Sequence, residues 1–502
     1  MGDEIGEECG VGAIYLKDQS KSCLETPFNL VHLASKMQHR GQRSAGINVY
    51  NPYGNSPLVS HKDIGLVAEV FRMRNKEEFE EILKRCQGTA GITHTRYSTS
   101  GKRRDYEAMR NEVQPFERRH GRLSKRFSLA FNGNLTNYEE LFDELKATGY
   151  WMDTKVDTEV LMHYMALYTK KLSEGLEHGK SPDKFEMVRK IMEKFDGAYN
   201  VLSMFADGEL IAFRDPRGFH PLSIGENDKM YAIASETSAL ESVGINNFST
   251  ILPGEAIRIN KNGIERKRLV SGISSCLCQL EPVYFMRADS ELDGVEVRAM
   301  RRALGVRLAE DEPLKGKLDD SYIVVPAPKA AIPGGEGFAD KLGLRFSLAI
   351  DKAEDLRGFI NDEEERKDIM STVYIVYRNA VKGKKVIVVD DSTVRGETSR
   401  QLVSYLRKKG AVEVHLRLTE PPIKHPCWYG IDYPTRKELI ANISKDNLEA
   451  EIAKAIGADS VHFQTIDGLV EALGIPRDNL CLACLTGKYP THCGQKKADN
   501  HH

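Results

Sequence analysis

The sequence predicts two domains: a first half of mixed α and β structure, then an α/β unit around a parallel sheet. Three observations carry this. The chain has 502 residues, too many for one hydrophobic core, so domains of roughly 200 residues each are expected. In the first half, short alternating strands meet at tight Gly/Asp turns. In the second, near-continuous apolar strands are each followed by a helical pattern, as βαβ units require.

The first-half strands are "FSLAFNGNL" and "YNVLSMFADGELIAFRD", with "ILPGEAIRI" closing this half. Apolar residues at three- and four-residue spacing predict helices at "NYEELFDELKATG" and "DTEVLMHYMALYTKKL". The boundary is expected near residues 262–278. In the second half "SYIVVPAP" and "KKVIVVDD" read as strands buried on both faces. In "SRQLVSYLRKKG", Leu402, Val403 and Leu406 align on one helix face. Lys408 and Lys409 suit the negative dipole end, and Gly410 suits the C-terminal cap. The resulting division is a leader 1–8, a first domain 9–265, a second domain 275–470 and a C-terminal segment 471–502. The last dozen residues are polar and expected to fray.

Composition narrows the function. Lys plus Arg number 71 and Asp plus Glu 73, a net charge of −2, which gives no broad basic face for nucleic acid. No apolar run reaches the eighteen or so residues of a membrane span. The start "MGDEIGEE" lacks the apolar region of a secretory signal. A cytoplasmic protein is expected, whose nine cysteines are reduced, catalytic or metal-bound rather than disulfide-paired.

Cys9 opens "CGVGAIYL" after an acidic leader. Alone, it reads as a small buried residue of a first strand. Three polar, Gly-rich segments punctuate the strands that follow: "QHRGQRSAG" (38–46), "THTRYSTSG" (93–101) and "FNGNLTNY" (131–138). "VDTEVL" (156–161) then places a carboxylate at the positive end of a helix. In this order the segments resemble the class II glutamine amidotransferase domain. The resemblance implies an N-terminal-nucleophile αββα fold in which the leader is removed and Cys9 attacks the glutamine amide. It makes the freed α-amine the base, and Asn132 with the Gly133 N–H the oxyanion hole. Arg96 would clamp the substrate carboxylate and Asp157 its α-ammonium. Arg40 reads as a scaffold residue. Arg43 stands where the family often has an acid.

"CLACLTGKYPTHC" sets Cys481 and Cys484 in C-x-x-C spacing, which suits zinc, iron–sulfur or redox chemistry. Cys427 lies in "EPPIKHPCWYGIDYPTRKELIA", and Cys276 and Cys278 precede a "VYF" strand in "CLCQLEPVYFMRAD". The set resembles the iron–sulfur form of the amidophosphoribosyltransferases, the family that opens purine synthesis, from Cys9 to about Pro490. The resemblance implies a 4Fe–4S cluster on Cys278, Cys427, Cys481 and Cys484, structural or oxygen-sensing, with a structural zinc as the alternative. Cys23, Cys86 and Cys493 read as ordinary thiols.

The resemblance also makes "VIVVDDSTVRGETS" (386–399) the phosphoribosyl pyrophosphate (PRPP) loop of an α/β type I phosphoribosyltransferase domain. Asp390 and Asp391 would hold ribose hydroxyls and Mg²⁺. Arg395, Gly396, Thr398 and Ser399 would hold the 5-phosphate at a helix N-terminus. Several positions depart from the family pattern. Glu397 replaces a Thr. Lys329, Ala330 and Ala331 replace acid, hydroxyl and Gly in "VPAPKAA". Asp351, Ala353 and Glu354 replace two cations and an aromatic in "DKAEDLRGFI", where Arg357 is retained. "DIMSTVYIVYRN" has no cation between Lys367 and Arg378. Apart from Lys329, which exchanges an acid for a cation, and Ala331, these changes remove a donor or cation from a polyanion site or add an anion.

The expected function is therefore glutamine hydrolysis with ammonia transfer to PRPP, giving 5-phosphoribosylamine. The alternative is a PRPP-incompetent paralogue, acting as a glutaminase or as the regulatory partner of a working homologue. Purine nucleotide effectors and a homo- or hetero-oligomer are implied by resemblance alone.

Overall fold

The computed structural model describes residues 9–97, 106–177, 181–352, 374–431, 433, 435–444 and 446–500. The expectations for the leader 1–8, Ala353, Glu354, Arg357 and Lys367 fall outside the described residues.

Alternation builds the first half. In the strand Gly10–Leu16 every residue is buried. Val11, Ala13 and Tyr15 face one apolar layer and Ile14 and Leu16 another. Among the described residues this strand is central to a seven-stranded antiparallel sheet. Its order is Phe248–Thr250, Ser223–Glu226, Met230–Ala234, Gly10–Leu16, Ala90–Arg96, Ser44–Tyr50 and Leu58–Ile64. A six-stranded antiparallel sheet runs Gly263–Arg268, Glu255–Asn260, Leu210–Arg214, Gly197–Phe205, Phe127–Leu135 and Phe116–Arg118. It thus continues through Arg268, beyond residue 265.

The layer between the sheets holds Val11, Ala13, Ala130, Leu202 and Ile257. Helix Glu25–Lys36 covers the first sheet with Leu30, Val31 and Leu33. Helices Tyr138–Ala147, Asp157–Leu172 and Lys184–Lys194 cover the second with Leu141, Leu161 and Val188. The result is the expected αββα sandwich.

The second half is a parallel sheet, ordered Arg345–Phe346, Tyr322–Pro326, Lys385–Asp390, Glu413–Leu418 and Ser460–Phe463. Val324, Ile387 and Val389 pack on one side against Leu308 and Phe338. Val325, Val386 and Val388 pack on the other against Leu402, Val403 and Leu406. Those three share helix Glu397–Lys408, as their spacing predicts, and Gly410 beyond its end takes φ 100°.

Two expectations are corrected. "VYF" is not a strand: Glu281–Phe285 forms a wide π-helical turn, closed by the Met286 N–H on the Glu281 carbonyl at 2.9 Å. The Arg301 guanidinium gathers the carbonyls of Pro282, Tyr284 and Met286 at 2.9, 2.9 and 2.7 Å, so these are unavailable to a strand ladder. Among the described C-terminal residues, those up to Asn500 do not fray either. Helix His492–Asn500 buries Gly494 and Ala498. It docks through a Tyr429–Thr491 hydroxyl pair at 3.1 Å and a Cys493 N–H donated to Asp196 at 3.2 Å.

Arg40 ties the halves together. Its guanidinium is fully buried and donates to Glu236 Oε1 and, across the boundary, to Glu281 Oε2, each at 2.5 Å. Burial would raise the Glu236 carboxyl, yet the His39 and Arg40 charges and their hydrogen bonds hold it well below the usual carboxylate range.

Candidate active site

Cys9 leads into the strand whose Gly10 lies opposite Thr95, the residue before Arg96; Ser44 lies opposite Arg96 on the other side. Gly41 comes so close to this strand end that a methyl there would lie 2.5 Å from the Arg96 nitrogen. Cys9, the 38–46 segment and Arg96 therefore meet at one end of the first sheet.

The second sheet brings Asn132 and Gly133 to the same place. His94, two residues before Arg96, donates from Nε2 to the Phe131 carbonyl at 3.1 Å. Burial pushes this imidazole down to about 3, so it is neutral. Asn132 is 2% exposed, and its Nδ2 has no acceptor among the described residues. A buried donor of this kind is what an oxyanion needs. Gly133 takes φ 148°, and a methyl there would overlap the Ala198 carbonyl. Asp157 opens helix Asp157–Leu172 and accepts from the Leu135 and Thr158 N–H groups at 3.3 and 3.0 Å. Burial raises its carboxyl to about 6, against these bonds and the pull of Arg96. Arg96 itself donates to the Glu112 carbonyl at 2.6 Å and to Glu112 Oε2 at 2.9 Å.

In the second half, Asp390 ends the central strand and accepts from the Asp391 N–H at 2.9 Å. Burial raises Asp391 to about 6, opposed by the charges of Arg301 and Lys352. The loop closes on Gly396, in the left-handed region at φ 76°, where a methyl would overlap Ile440. Ser399 is buried and pairs with the Thr393 hydroxyl at 3.0 Å; Arg395 and Thr398 are half-buried. Glu397 is exposed. Lys329 is exposed in a turn, Ala331 is buried, and Asp351 is exposed on strand Ile350–Lys352, which pairs antiparallel with Tyr374–Val376 in a separate ribbon.

Cys278, Cys427, Cys481 and Cys484 line one small cavity with Phe219, His220, Leu280, Tyr429, Ile431, Tyr433 and Ala483. Cys278 and Cys481 lie opposite each other in a short parallel pair. The Tyr429 N–H donates to Cys427 Sγ at 3.3 Å, and Gln279 Nε2 to Cys484 Sγ at 3.9 Å. A hydrogen bond with Cys276, then burial, pushes the Cys481 thiol well up; burial does the same to Cys484. Among the described residues, no three His, Cys, Asp or Glu side chains form a ready metal-ligand group.

Sequence reading missed Glu112, Gln114 and His94, which hold Arg96 and the Phe131 backbone. Their one signal was polarity inside stretches that otherwise read as strand or turn.

The comparisons agree with this geometry. Residues 102–242 match the family described as glutamine amidotransferase domain. The chain is 36% identical to the amidophosphoribosyltransferase of Methanocaldococcus jannaschii, over 97% of this chain and 99% of that protein. It is 36% identical to that of Bacillus subtilis, over 98% and 96%. The solved glutamine PRPP amidotransferase from B. subtilis, complexed with ADP and GMP, superposes with a TM-score of 0.82 at 34% identity, covering 97% of this chain and 98% of that one. With this identity sustained along its whole length, the chain belongs to the amidophosphoribosyltransferase family.

Proposed function

We propose that the protein hydrolyses glutamine at Cys9 and transfers the ammonia to PRPP, giving 5-phosphoribosylamine, glutamate and pyrophosphate. The observation that carries the first half is Asn132: a buried, unspent donor on the strand that His94 ties beside Arg96. Once the leader 1–8 is removed, the Cys9 α-amine, with a pKa of about 8, takes the thiol proton as sulfur attacks the amide carbon. Asn132 Nδ2 and the Gly133 N–H receive the oxyanion. Arg96 and Asp157 hold the substrate carboxylate and ammonium. The C–N bond breaks, ammonia leaves with the transferred proton, and water releases glutamate from the thioester.

In the second half, the ammonia lone pair attacks C1 of the sugar, pyrophosphate leaves with the C1–O electrons, and nitrogen sheds a proton. Arg395, Gly396, Thr398 and Ser399 hold the 5-phosphate, and Asp390 and Asp391 hold ribose hydroxyls. The paired acids, one raised by burial, fit a Mg²⁺ ion, which when bound neutralises pyrophosphate charge.

Cys278, Cys427, Cys481 and Cys484 would hold a 4Fe–4S cluster. The four cysteines line one small cavity with His220 and apolar and aromatic neighbours; their thiols are not drawn together as a ready ligand group, but the donor chemistry suits such a cluster, since buried thiolates need a cation to offset their charge. Its role is to pin the C-terminal segment in place. Regulation by purine nucleotides is supported by the B. subtilis relative solved with ADP and GMP, and a homo- or hetero-oligomer is proposed with it. Among the described residues no helix is long and apolar enough to cross a membrane.

The second reading is a PRPP-incompetent glutaminase or regulatory partner of a homologue. Lys329, Ala330 and Asp351 favour it; the exposure of Glu397, which keeps that carboxylate in solvent, favours the full transferase. Calorimetric titration of PRPP with Mg²⁺ into oxygen-free, processed protein separates the two. Saturable binding supports the transferase, and no binding at millimolar PRPP supports the second reading.

A further inference from the structure

The short stretch Glu112–Pro115 joins the two ends of the glutamine site. Glu112 takes both terminal nitrogens of Arg96, with its carbonyl at 2.6 Å and Oε2 at 2.9 Å. Two residues on, Gln114 clamps the Phe131 backbone in both directions. Its Oε1 accepts from the Phe131 N–H at 2.7 Å, and its Nε2 donates to the Phe131 carbonyl at 3.3 Å. Phe131 immediately precedes Asn132. Glu112 and Gln114 are 7% and 5% exposed. The stretch is itself fixed from behind: Lys62 Nζ donates to the Val113 and Pro115 carbonyls at 2.6 and 2.9 Å. Gly46 lies so near the Gln114 carbonyl that a methyl would overlap it.

We propose that Glu112 and Gln114 form a rigid spacer that sets the distance between Arg96 and Asn132. The spacer thereby selects the two-methylene side chain of glutamine over the shorter asparagine. The inference rests on the assignment of Arg96 to the substrate carboxylate and Asn132 to the oxyanion. A planar guanidinium held at both terminal nitrogens keeps Nε and its remaining N–H bonds aimed in fixed directions. A backbone unit clamped at both N–H and carbonyl fixes the direction of the next side chain. A shorter substrate then satisfies one end of the site and misses the other, and a misplacement of about 1 Å costs about a hundredfold in rate. Glu112 and Gln114 are positioning residues: they act through Arg96 and Asn132.

The test is steady-state hydrolysis of glutamine and asparagine by the full chain, with thermal unfolding as the control for folding. Glu112→Ala should raise the glutamine KM about tenfold with kcat nearly unchanged, because it loosens ground-state binding. Glu112→Gln, which keeps an acceptor for Nη2, should restore most of it. Gln114→Ala should lower kcat by about a hundredfold with little change in KM. Gln114→Glu keeps the acceptor for the Phe131 N–H and serves if the alanine variant does not fold. In each damaged variant the glutamine-to-asparagine ratio of kcat/KM should fall. Folded variants whose ratio matches the unmodified protein overturn the spacer, whether or not their rates drop. Arg96→Gln separates the two layers. If it leaves the glutamine KM unchanged, the Arg96 assignment itself is wrong. If it raises KM while Glu112→Ala does not, the spacer alone is wrong.

Discussion

Asn134 donates from Nδ2 to the Trp428 carbonyl at 2.8 Å, joining the strand of the oxyanion donors to the residue that follows Cys427. Gly430 lies against Gly133, and His220 donates from Nε2 to the Tyr429 carbonyl at 3.0 Å. The cysteine-bearing segment therefore buttresses the glutamine site. Cys427→Ser should lose iron and glutamine hydrolysis together, with kcat reduced by about tenfold or more through displacement of Gly133. Full hydrolysis in an iron-free variant would show that the buttress stands without the cluster.

The proposed cluster predicts that oxygen-free preparations of the unmodified protein are brown and contain iron, and that replacing Cys481 and Cys484 with Ser removes both. Both thiols are buried on one cavity wall, and a cluster needs four thiolates. Metal analysis checks this, and a colourless, zinc-loaded unmodified protein would refute the iron assignment.

Asp157 gives glutamine hydrolysis a pH signature. Burial raises its carboxyl to about 6, and only the carboxylate pairs with the substrate ammonium. With the proposed α-amine base imposing an acid limb below about 8, the slope of log kcat/KM should steepen from about one to about two below pH 6. Asp157→Asn should raise the glutamine KM and abolish the second break. A second break that survives in this variant belongs to another group.

Arg40 neutralises two carboxylates, Glu236 and Glu281, in a site closed to water. Arg40→Ala leaves Glu236 to His39 and Glu281 to His220 without the guanidinium they share, and should cost about 3–5 kcal/mol of stability, read from denaturant unfolding. A loss below about 1 kcal/mol would mean that water or protonation relieves the pair.

The backbone plan was legible because its periodicities are strong: the alternation of "FSLAFNGNL" and the Leu402, Val403 and Leu406 stripe both place residues where they pack. Cys9, Arg96 and Asn132 stood out because their segments are polar and Gly-rich between apolar strands. Glu112, Gln114 and His94 did not, since their work is to hold other groups, and such partners are set by tertiary contact rather than by spacing. The "VYF" strand was an expectation from the family resemblance; here the Arg301 guanidinium claims the carbonyls. The C-terminal helix was misread because its polar residues conceal a docking face of Gly494 and Ala498.

The most direct test compares pyrophosphate release from PRPP by the unmodified protein and Cys9→Ala, with glutamine or with ammonium as the nitrogen source. The geometry predicts release with either source in the unmodified protein, and with ammonium alone in Cys9→Ala. Glutamine-driven release that persists in Cys9→Ala would contradict the nucleophile, and no release from either source in the folded, unmodified protein would contradict the transferase.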